Sequence, residues 1–270
     1  MNRSLPKPIN RSLLRQLLGK EFFILKRKWK WKMDGDRYSR KRSNNRLKEI
    51  KASVFRHKSM ILRPLQGVDM QLQINKRTNL ELALKHIDGT VIQPGETFSI
   101  WKLVGRPTKR KGYLDGLVLK KGQITKGTGG GLCQLGNLLF WIFAHSPLEI
   151  TERFRHGYDV FPDVNRKVPF GAGATLSYNY IDLQVVNNSE QSYRLSLWID
   201  DTHLNGELFS ENELSEKYRI EERNHRIDQQ IWGGYSRHNQ IFKLTEDKGE
   251  VDEILLVENH AIMMYEPFLE

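Results

Sequence analysis

In the stretch 126-KGTGGGLCQLGNLLFWIFAHSPLEI-150, a glycine-rich turn leads into the most apolar segment of the chain. Apolar residues recur at positions 132, 135, 138, 139, 142 and 143, which is the period of an α-helix. Phe140, Trp141 and Ala144 extend the apolar surface nearly all round, and Pro147 ends the pattern. The stretch therefore predicts a buried central helix that starts at the GGGLCQ motif.

The segments around this helix predict an α+β fold with few helices and a mostly antiparallel sheet. Before the glycine turn, a helix-start signal at Thr78 or Asn79 opens an apolar pattern that runs to Ile87. The sequence contains no repeat of fixed period. The strand-like segments, separated by Gly, Asn and Pro, are 90–93, 97–101, 117–119, 148–154, 158–161, 175–188, 192–200, 215–227, 238–247 and 253–267.

The first 63 residues carry all of the excess positive charge. They contain 20 Lys and Arg against four acidic residues, whereas the remaining 207 residues have a net charge of −5. Within 12–32, apolar residues recur every three or four positions, which predicts a basic amphipathic helix. Such a helix either packs its apolar face on the main domain or lies on an anionic surface. Because the chain has no recognisable nucleic-acid-binding motif, the expected surface is a membrane rather than a nucleic acid.

We divide the chain into three parts: a basic, partly helical N-terminal segment (1–63), a core domain (64–205) and C-terminal strands or a hairpin attached to the core (206–270). The run 37–51 in the first part is a second basic patch, of the kind that usually forms a solvated loop or helix face. No segment approaches 18 consecutive apolar residues, and the basic start lacks the uninterrupted apolar core of a signal peptide. We therefore expect a cytoplasmic protein that meets a membrane only at its surface.

One cysteine in 270 residues excludes an internal disulfide and a zinc site of the CxxC type. The run 127-GTGGGL-132 has leucine in place of the last glycine of GxGxxG, and no phosphate-loop lysine follows it. The histidines show no metal-ligand spacing. We therefore expect neither a metal nor a cofactor.

Cys133 follows the glycine triplet directly and has two interpretations. The N–H groups and the positive dipole end at a helix start favour an anion, which predicts a lowered thiol pKa. The amides from Gly131 to Gln134 would then bind an oxyanion. In the other interpretation the cysteine is inert, and the glycine turn lets a partner strand or a glycopeptide backbone approach closely.

A nucleophilic cysteine also needs a base. His156 lies downstream on a strand-like segment that can fold back beside the helix start. His145 lies at the far end of the same helix, roughly 18 Å away at the helical rise, so it is too distant. The candidates for an orienting group, among which the sequence does not choose, are Asp159, Asp163, Asp182 and Asn187.

Three segments, 79–105, 128–156 and 174–189, resemble the VanW family of bacterial proteins. The most specific run is TGGGLCQ, followed by NLLF, LEI and finally ERFRH, which ends at His156. The resemblance implies a role in glycopeptide resistance or cell-envelope biology and a peptidoglycan-type peptide or precursor as partner, but no mechanism. The positions that match the family motif are Gly129, Gly130, Gly131, Cys133, Gln134, Glu152, Arg153, His156, Asp182 and Asn187.

On this basis we hypothesise cysteine-dependent acyl transfer or hydrolysis on peptidoglycan-type peptides. Cys133 would be the nucleophile, His156 the general base and Asp182 the orienting acid. The residues expected to bind the substrate or the oxyanion are Gly129, Gly130, Gly131, Gln134, Glu152, Arg153 and Asn187. The alternative is a non-enzymatic module that binds a peptide or glycopeptide and whose cysteine is buried and inert.

Overall fold

The structure is a computed structural model that describes residues 12–34, 37–41, 50–62, 69–120, 122–162, 168–179 and 181–267. The helices of these ranges are α1 (Leu13–Met33), α2 (Met70–Ile87), α3 (Ile100–Val104) and α4 (Cys133–Ala144). The strands are β1 (Arg40–Lys41), β2 (Ala52–Met60), β3 (Thr90–Ile92), β4 (Thr97–Ser99), β5 (Asp115–Lys120), β6 (Gln123–Thr128), β7 (Glu149–Glu152), β8 (Tyr158–Asp159), β9 (Gln184–Val186), β10 (Tyr193–Ile199), β11 (His203–Ser210), β12 (Lys217–Gln229), β13 (Tyr235–Asp247) and β14 (Glu250–Met263).

The described strands form four sheets. A five-stranded sheet has the order β1-β3-β10-β11-β2, and a four-stranded sheet has the order β12-β13-β14-β8. The order β4-β9-β7 makes a three-stranded sheet, and β5 and β6 form a hairpin. Neighbouring strands are antiparallel except for β14 and β8, which run parallel. The predicted α+β class with mostly antiparallel strands is confirmed.

Helix α4 is the centre of the core and begins and ends where its apolar pattern predicts. Leu135, Leu139, Ile142 and Phe143 are fully buried. The helix packs on β2 and β11 of the five-stranded sheet and also contacts β7 of the three-stranded sheet. Burial of this many large apolar side chains is a major source of folding free energy, so α4 fixes the position of the GGGLCQ motif at its start.

Helix α2 begins eight residues before the predicted start signal. Its N-cap is Asp69, whose carboxylate accepts a hydrogen bond from the Gln71 amide at 2.9 Å. In the first turns Met70, Leu72 and Ile74 alternate with polar residues, so the sequence there shows a period of two rather than the helical period. Asn79 is inside the helix and fully buried, so the prediction that it caps the helix was wrong.

Several predicted strands, 97–101 and 175–188 among them, are shorter than expected. The segment 97–101 leaves the strand conformation after Ser99, whose hydroxyl caps α3 by accepting from the Lys102 amide. Only Gln184–Val186 of the segment 175–188 is a strand. Residues 174–176 have their amides bonded to a helix and a loop instead of to a neighbouring strand, as described below.

Helix α1 confirms the predicted helix in the basic segment, but not the packing of its apolar face on the domain. Ile24 and Trp31 are buried, at 3% and 7% exposure. The pattern residues Leu14, Leu18, Phe22, Phe23 and Leu25 are exposed instead. Most of the run 37–51 lies outside the described residues, and so do the side chains of Leu13 and Leu17. In the described part of the chain, no helix is long and apolar enough to cross a bilayer.

Candidate functional site at the start of helix α4

Cys133 is the first residue of α4 and is exposed. Its sulfur, however, packs against the backbone of Leu176. The Leu176 amide donates to Cys133 Sγ at 3.4 Å, and Sγ lies 3.9 Å from the Leu176 carbonyl oxygen. The thiol is therefore held by a neighbouring segment of the chain while part of the residue faces solvent.

The expected activation of this thiol is not found, because burial of the sulfur raises the pKa of Cys133. The amide hydrogen bond from Leu176 opposes this effect without overcoming it. A raised pKa reduces the thiolate fraction at neutral pH, and the thiolate is the nucleophilic form. The prediction of a lowered pKa at the helix start was wrong, since desolvation outweighs the favourable amides.

The glycine triplet has a packing role that its sequence does not reveal. Gly129 and Gly131 have φ values of +76° and +90°, a backbone conformation that is strained for residues other than glycine. Gly130 lies against Gly116 of β5, and a Cβ atom on Gly130 would stand 2.2 Å from the Gly116 carbonyl carbon and oxygen. The close partner of the turn is therefore the hairpin β5–β6 of the same chain.

Asn79 of α2 clamps this turn to the hairpin. Its Nδ2 donates to the carbonyl oxygens of Gly130 (2.9 Å) and Leu114 (3.0 Å), and its Oδ1 accepts from the Leu114 amide (2.8 Å). All three bonds are made by a side chain with no solvent exposure. The fully buried amide thus fixes where the glycine turn lies relative to α2 and β5.

Most amides of the turn already have acceptors inside the protein. The bonds run from Gly129 to Leu114 O, from Gly130 to Gly127 O, from Gly131 to Leu117 O and from Gln134 to Gly131 O. Among the described residues, the amides of Leu132 and Cys133 donate to no backbone carbonyl. The oxyanion site predicted from Gly131 to Gln134 is therefore reduced to these two adjacent N–H groups, of which the Cys133 amide also interacts with its own sulfur.

Segment 174–176 separates Cys133 from the loop that carries His156. Successive amides of this segment point alternately to α4 and to the loop between β7 and β8. The bonds run from Ala174 N–H to Asn137 Oδ1 (2.9 Å), from Thr175 N–H to Phe154 O (2.7 Å) and from Leu176 N–H to Cys133 Sγ (3.4 Å). On the loop side, the His156 amide also donates to Thr175 Oγ1 at 3.2 Å. The intervening backbone is thus bonded to both sides.

His156 lies in a loop rather than on the predicted strand. Burial, and next the positive charge of Arg155, lower the pKa of its imidazole. Its Nδ1 is enclosed and makes no hydrogen bond with the described residues. A hydrogen bond with the Tyr158 backbone and then the charge of Asp159 act in the opposite direction and raise this pKa. Asp159 is itself bound by Tyr265 Oη at 3.0 Å. The nearby carboxylate is therefore Asp159 rather than Asp182; Asp163 lies outside the described residues.

Asp182 is fully buried and stabilises the start of α3. Its carboxylate accepts from Ser99 Oγ at 2.5 Å and from the Trp101 amide at 3.2 Å. It also accepts from the Leu183 amide and the Gln184 side chain, at 2.9 and 3.1 Å. Burial raises the pKa of Asp182 to about 6. With these four donors, the carboxylate acts within the core and makes no hydrogen bond to His156.

Two charged motif residues hold other parts of the fold together. Glu152 receives a bidentate ion pair from Arg27 of α1, with distances of 2.6 and 2.7 Å, and also accepts from the Asp182 amide. Arg153 donates to the carbonyl oxygens of Gly171 and Gly173 at 2.6 and 2.8 Å. Burial lowers the pKa of Arg153 to about 10.

The two motif amides are likewise engaged within the chain. Gln134 Nε2 donates to Ser59 Oγ and to the Met60 carbonyl of β2, at 2.9 and 2.8 Å. Asn187 is fully buried, and its Nδ2 donates to the carbonyls of Ile92 and Gln191. Both side chains therefore connect secondary-structure elements. In the described part of the chain, no group of three or more His, Cys, Asp or Glu is placed to hold a metal ion.

Some residues that shape this region lie far from it in the sequence and were not predicted, chiefly Asn79, Gly116 and Arg27. Asn79 sits 51 residues from Gly130 in the chain, and Arg27 sits 125 residues from Glu152. A glycine in an otherwise apolar strand was the available signal for Gly116, because such glycines often mark a close backbone approach. No comparable local signal exists for Asn79 or Arg27.

Comparison with known proteins places these residues in a family. The family model described as VanW like protein matches residues 75–209. The chain is 42% identical over 154 residues to the Vancomycin B-type resistance protein VanW of Enterococcus faecalis, which covers 57% of this chain and 56% of that protein. It is 36% identical over 113 residues to the uncharacterized protein YoaR of Bacillus subtilis, which covers 42% of this chain and 36% of that protein.

The matched region thus spans about half, or less, of each of these two relatives. No solved structure matches the chain. The family match includes the glycine turn, α4, the loop with His156 and the buried Asp182. The chain belongs to the VanW family, which is associated with vancomycin resistance.

Proposed function

We propose that this chain acts in glycopeptide resistance as a non-catalytic module that binds a peptidoglycan-type peptide at the start of α4. The observation that carries the proposal is the position of segment 174–176, whose amides bond to α4 on one side and to the His156 loop on the other. A general base must come within hydrogen-bond reach of the nucleophile or reach it through one water. Among the described residues no hydrogen bond joins the Cys133 sulfur to the His156 imidazole, and segment 174–176 is bonded to the elements that carry both.

The ligand that suits the start of α4 is a carboxylate. Leu132 and Cys133 have two adjacent amides that donate to no backbone carbonyl of the described residues. Together with the positive dipole end of a 12-residue helix, they favour an anion. A peptidoglycan-type peptide ends in a free carboxylate, and the exposed position of Cys133 allows such an end to approach.

Cysteine-dependent acyl transfer is less well supported by this geometry. It would require segment 174–176 to leave its hydrogen bonds with both neighbours, so that His156 could approach the sulfur. It would also require a thiolate from a group whose pKa is raised. Binding of a carboxylate needs neither change.

The test uses the full chain and a synthetic peptidoglycan-type stem peptide with a free C-terminal carboxylate. Calorimetry should detect binding that is weakened at least about tenfold when the peptide carries a C-terminal amide, because the charge interaction with the helix start is lost. Cys133→Ser should keep this binding. Cys133→Asp should lose it, since its carboxylate competes for the same amides while preserving the helix start.

The outcome for the peptide separates binding from catalysis. Mass spectrometry after incubation should recover the intact peptide and an unmodified protein. The alternative is a cysteine enzyme. It would be established by a hydrolysed or transferred peptide, or by an acyl group on Cys133, if that product is lost in Cys133→Ser. Equal binding of the carboxylate and amide peptides would remove the proposed site.

A further inference from the structure

Helix α1 presents a continuous apolar face to solvent. Six large apolar side chains recur along it at intervals of three or four residues and lie within a sector of about 100° around the helix axis. We call this set the outer stripe; it consists of Leu14, Leu18, Phe22, Leu25, Trp29 and Met33, each more than 60% exposed. An exposed apolar face of this extent usually marks an interaction site.

The opposite face of α1 fixes the direction in which the outer stripe points. Ile24 and Trp31 are buried against the body of the protein. Arg27 pairs with Glu152 as described above, and Glu21, which lies beside the outer stripe, receives a two-point ion pair from Arg106 at 3.0 and 3.3 Å. The helix is therefore attached along its length with the stripe turned outward.

Exposed cations border the outer stripe on both sides. The basic side chains on the two borders are Arg15, Lys26 and Lys30 on one side and Lys28 and Lys32 on the other. Glu21 is the one acidic residue within α1, and its charge is balanced by Arg106. An apolar sector between rows of Lys and Arg is the arrangement by which a helix lies in a lipid interface.

We propose that α1 binds an anionic lipid surface, with the outer stripe inserted among the acyl chains and the bordering cations at the lipid phosphates. This inference is independent of the proposed peptide site, because it rests on different residues. Trp29 and Phe22 lie near the centre of the stripe, and aromatic side chains favour the membrane interface. The body of the protein is then held at the bilayer through the ion pairs of α1.

Lipid fits this surface better than a nucleic acid or a second copy of the chain. Nucleic-acid binding depends on phosphate contacts by cations and does not use six exposed apolar residues. Pairing of two α1 helices through the stripe would bring the bordering cations of both copies close together, which is unfavourable.

The experiment is co-sedimentation of the full chain with vesicles of phosphatidylcholine alone or with about 30% phosphatidylglycerol. We expect binding to the anionic vesicles that weakens with added salt, because counterions screen the cations. The double variant Phe22→Ser/Trp29→Ser should lose at least about tenfold in affinity, since two large apolar groups no longer leave water. The double variant Lys26→Glu/Lys30→Glu should lose a similar factor in its affinity for anionic vesicles and should bind phosphatidylcholine vesicles like the wild type.

The matched control is Ile231→Ser/Trp232→Ser, which removes two exposed apolar side chains from the turn between β12 and β13. It should leave vesicle binding unchanged, and circular dichroism should show all variants folded. Wild-type binding that does not distinguish the two vesicle types overturns the proposal. The proposal is also overturned if Phe22→Ser/Trp29→Ser binds vesicles like the wild type. Binding of the wild type to duplex DNA instead of vesicles would overturn it too. So would a wild-type dimer that the substitutions Phe22→Ser/Trp29→Ser dissociate.

Discussion

Gly130→Ala should destabilise the protein by about 3 kcal/mol or more. The new Cβ would stand 2.2 Å from the carbonyl carbon and oxygen of Gly116 and 2.7 Å from its Cα. These are backbone atoms, so no side-chain rotation relieves the overlap. The hairpin β5–β6 must move away from the glycine turn, which also breaks the bonds that Asn79 makes to both. Urea denaturation followed by circular dichroism measures the loss.

The matched control for this substitution is Gly19→Ala in α1. No atom lies within 4 Å of a Cβ at Gly19, and alanine favours a helix interior over glycine. This change should be neutral or should stabilise the protein by up to about 1 kcal/mol. If Gly130→Ala is as mild as Gly19→Ala, the close packing of the triplet on Gly116 is not the reason for the motif glycines.

Asn79→Ala should destabilise the protein by about 3 kcal/mol, because it removes three hydrogen bonds at a fully buried site. The carbonyl oxygens of Leu114 and Gly130 and the Leu114 amide would all lose their side-chain partner. Hydrogen exchange should report the same event locally, with faster exchange of the Gly129 and Gly131 amides, whose acceptors lie at Leu114 and Leu117.

Asn75 supplies the control for Asn79, since it lies one helical turn earlier on α2 and also bonds the hairpin. Its Nδ2 donates to the Asp115 carbonyl at 2.8 Å from a partly buried position. Asn75→Ala should cost about 1 kcal/mol and leave the exchange of the glycine amides near its normal rate. Equal effects of the two substitutions would argue against a specific clamp at Asn79.

The central helix could be predicted because its signal is local. The apolar run before Pro147 is long, periodic and preceded by glycine, so burial and boundaries follow from propensity and pattern alone. The C-terminal segments were likewise predicted to be strands, and β12, β13 and β14 are present. Strands β2, β6 and β11 were missed. The basic residues of β2 resemble the solvated run that precedes it.

The candidate site was predicted less well because its contacts are not local. The order of Cys133 and His156 along the chain favoured a catalytic pair, yet the segment that separates them begins at Ala174. Its amides alternate between the two sides, a property of backbone geometry that residue types do not encode. The motif residues Glu152 and Asp182 were predicted to take part in binding and catalysis. In the structure Glu152 forms an ion pair with α1, and the buried Asp182 accepts hydrogen bonds at the start of α3.

The exposed stripe of α1 is a case in which the apolar pattern was predicted and its direction was left open. Periodicity identifies an apolar face but does not say whether that face meets the core or solvent. The direction is set by Ile24 and Trp31, which pack inward, and by Arg27, whose partner Glu152 is distant in sequence.

The most direct test of a non-catalytic Cys133 is its rate of alkylation by iodoacetamide from pH 5 to pH 10 in the folded chain. The reaction reports a single site, because the chain has one cysteine. The rate should follow a titration whose midpoint lies above the pKa of an ordinary cysteine thiol, and His156→Ala should not move it. A midpoint below pH 7 that shifts upward in His156→Ala would contradict the account and establish an activated cysteine–histidine pair.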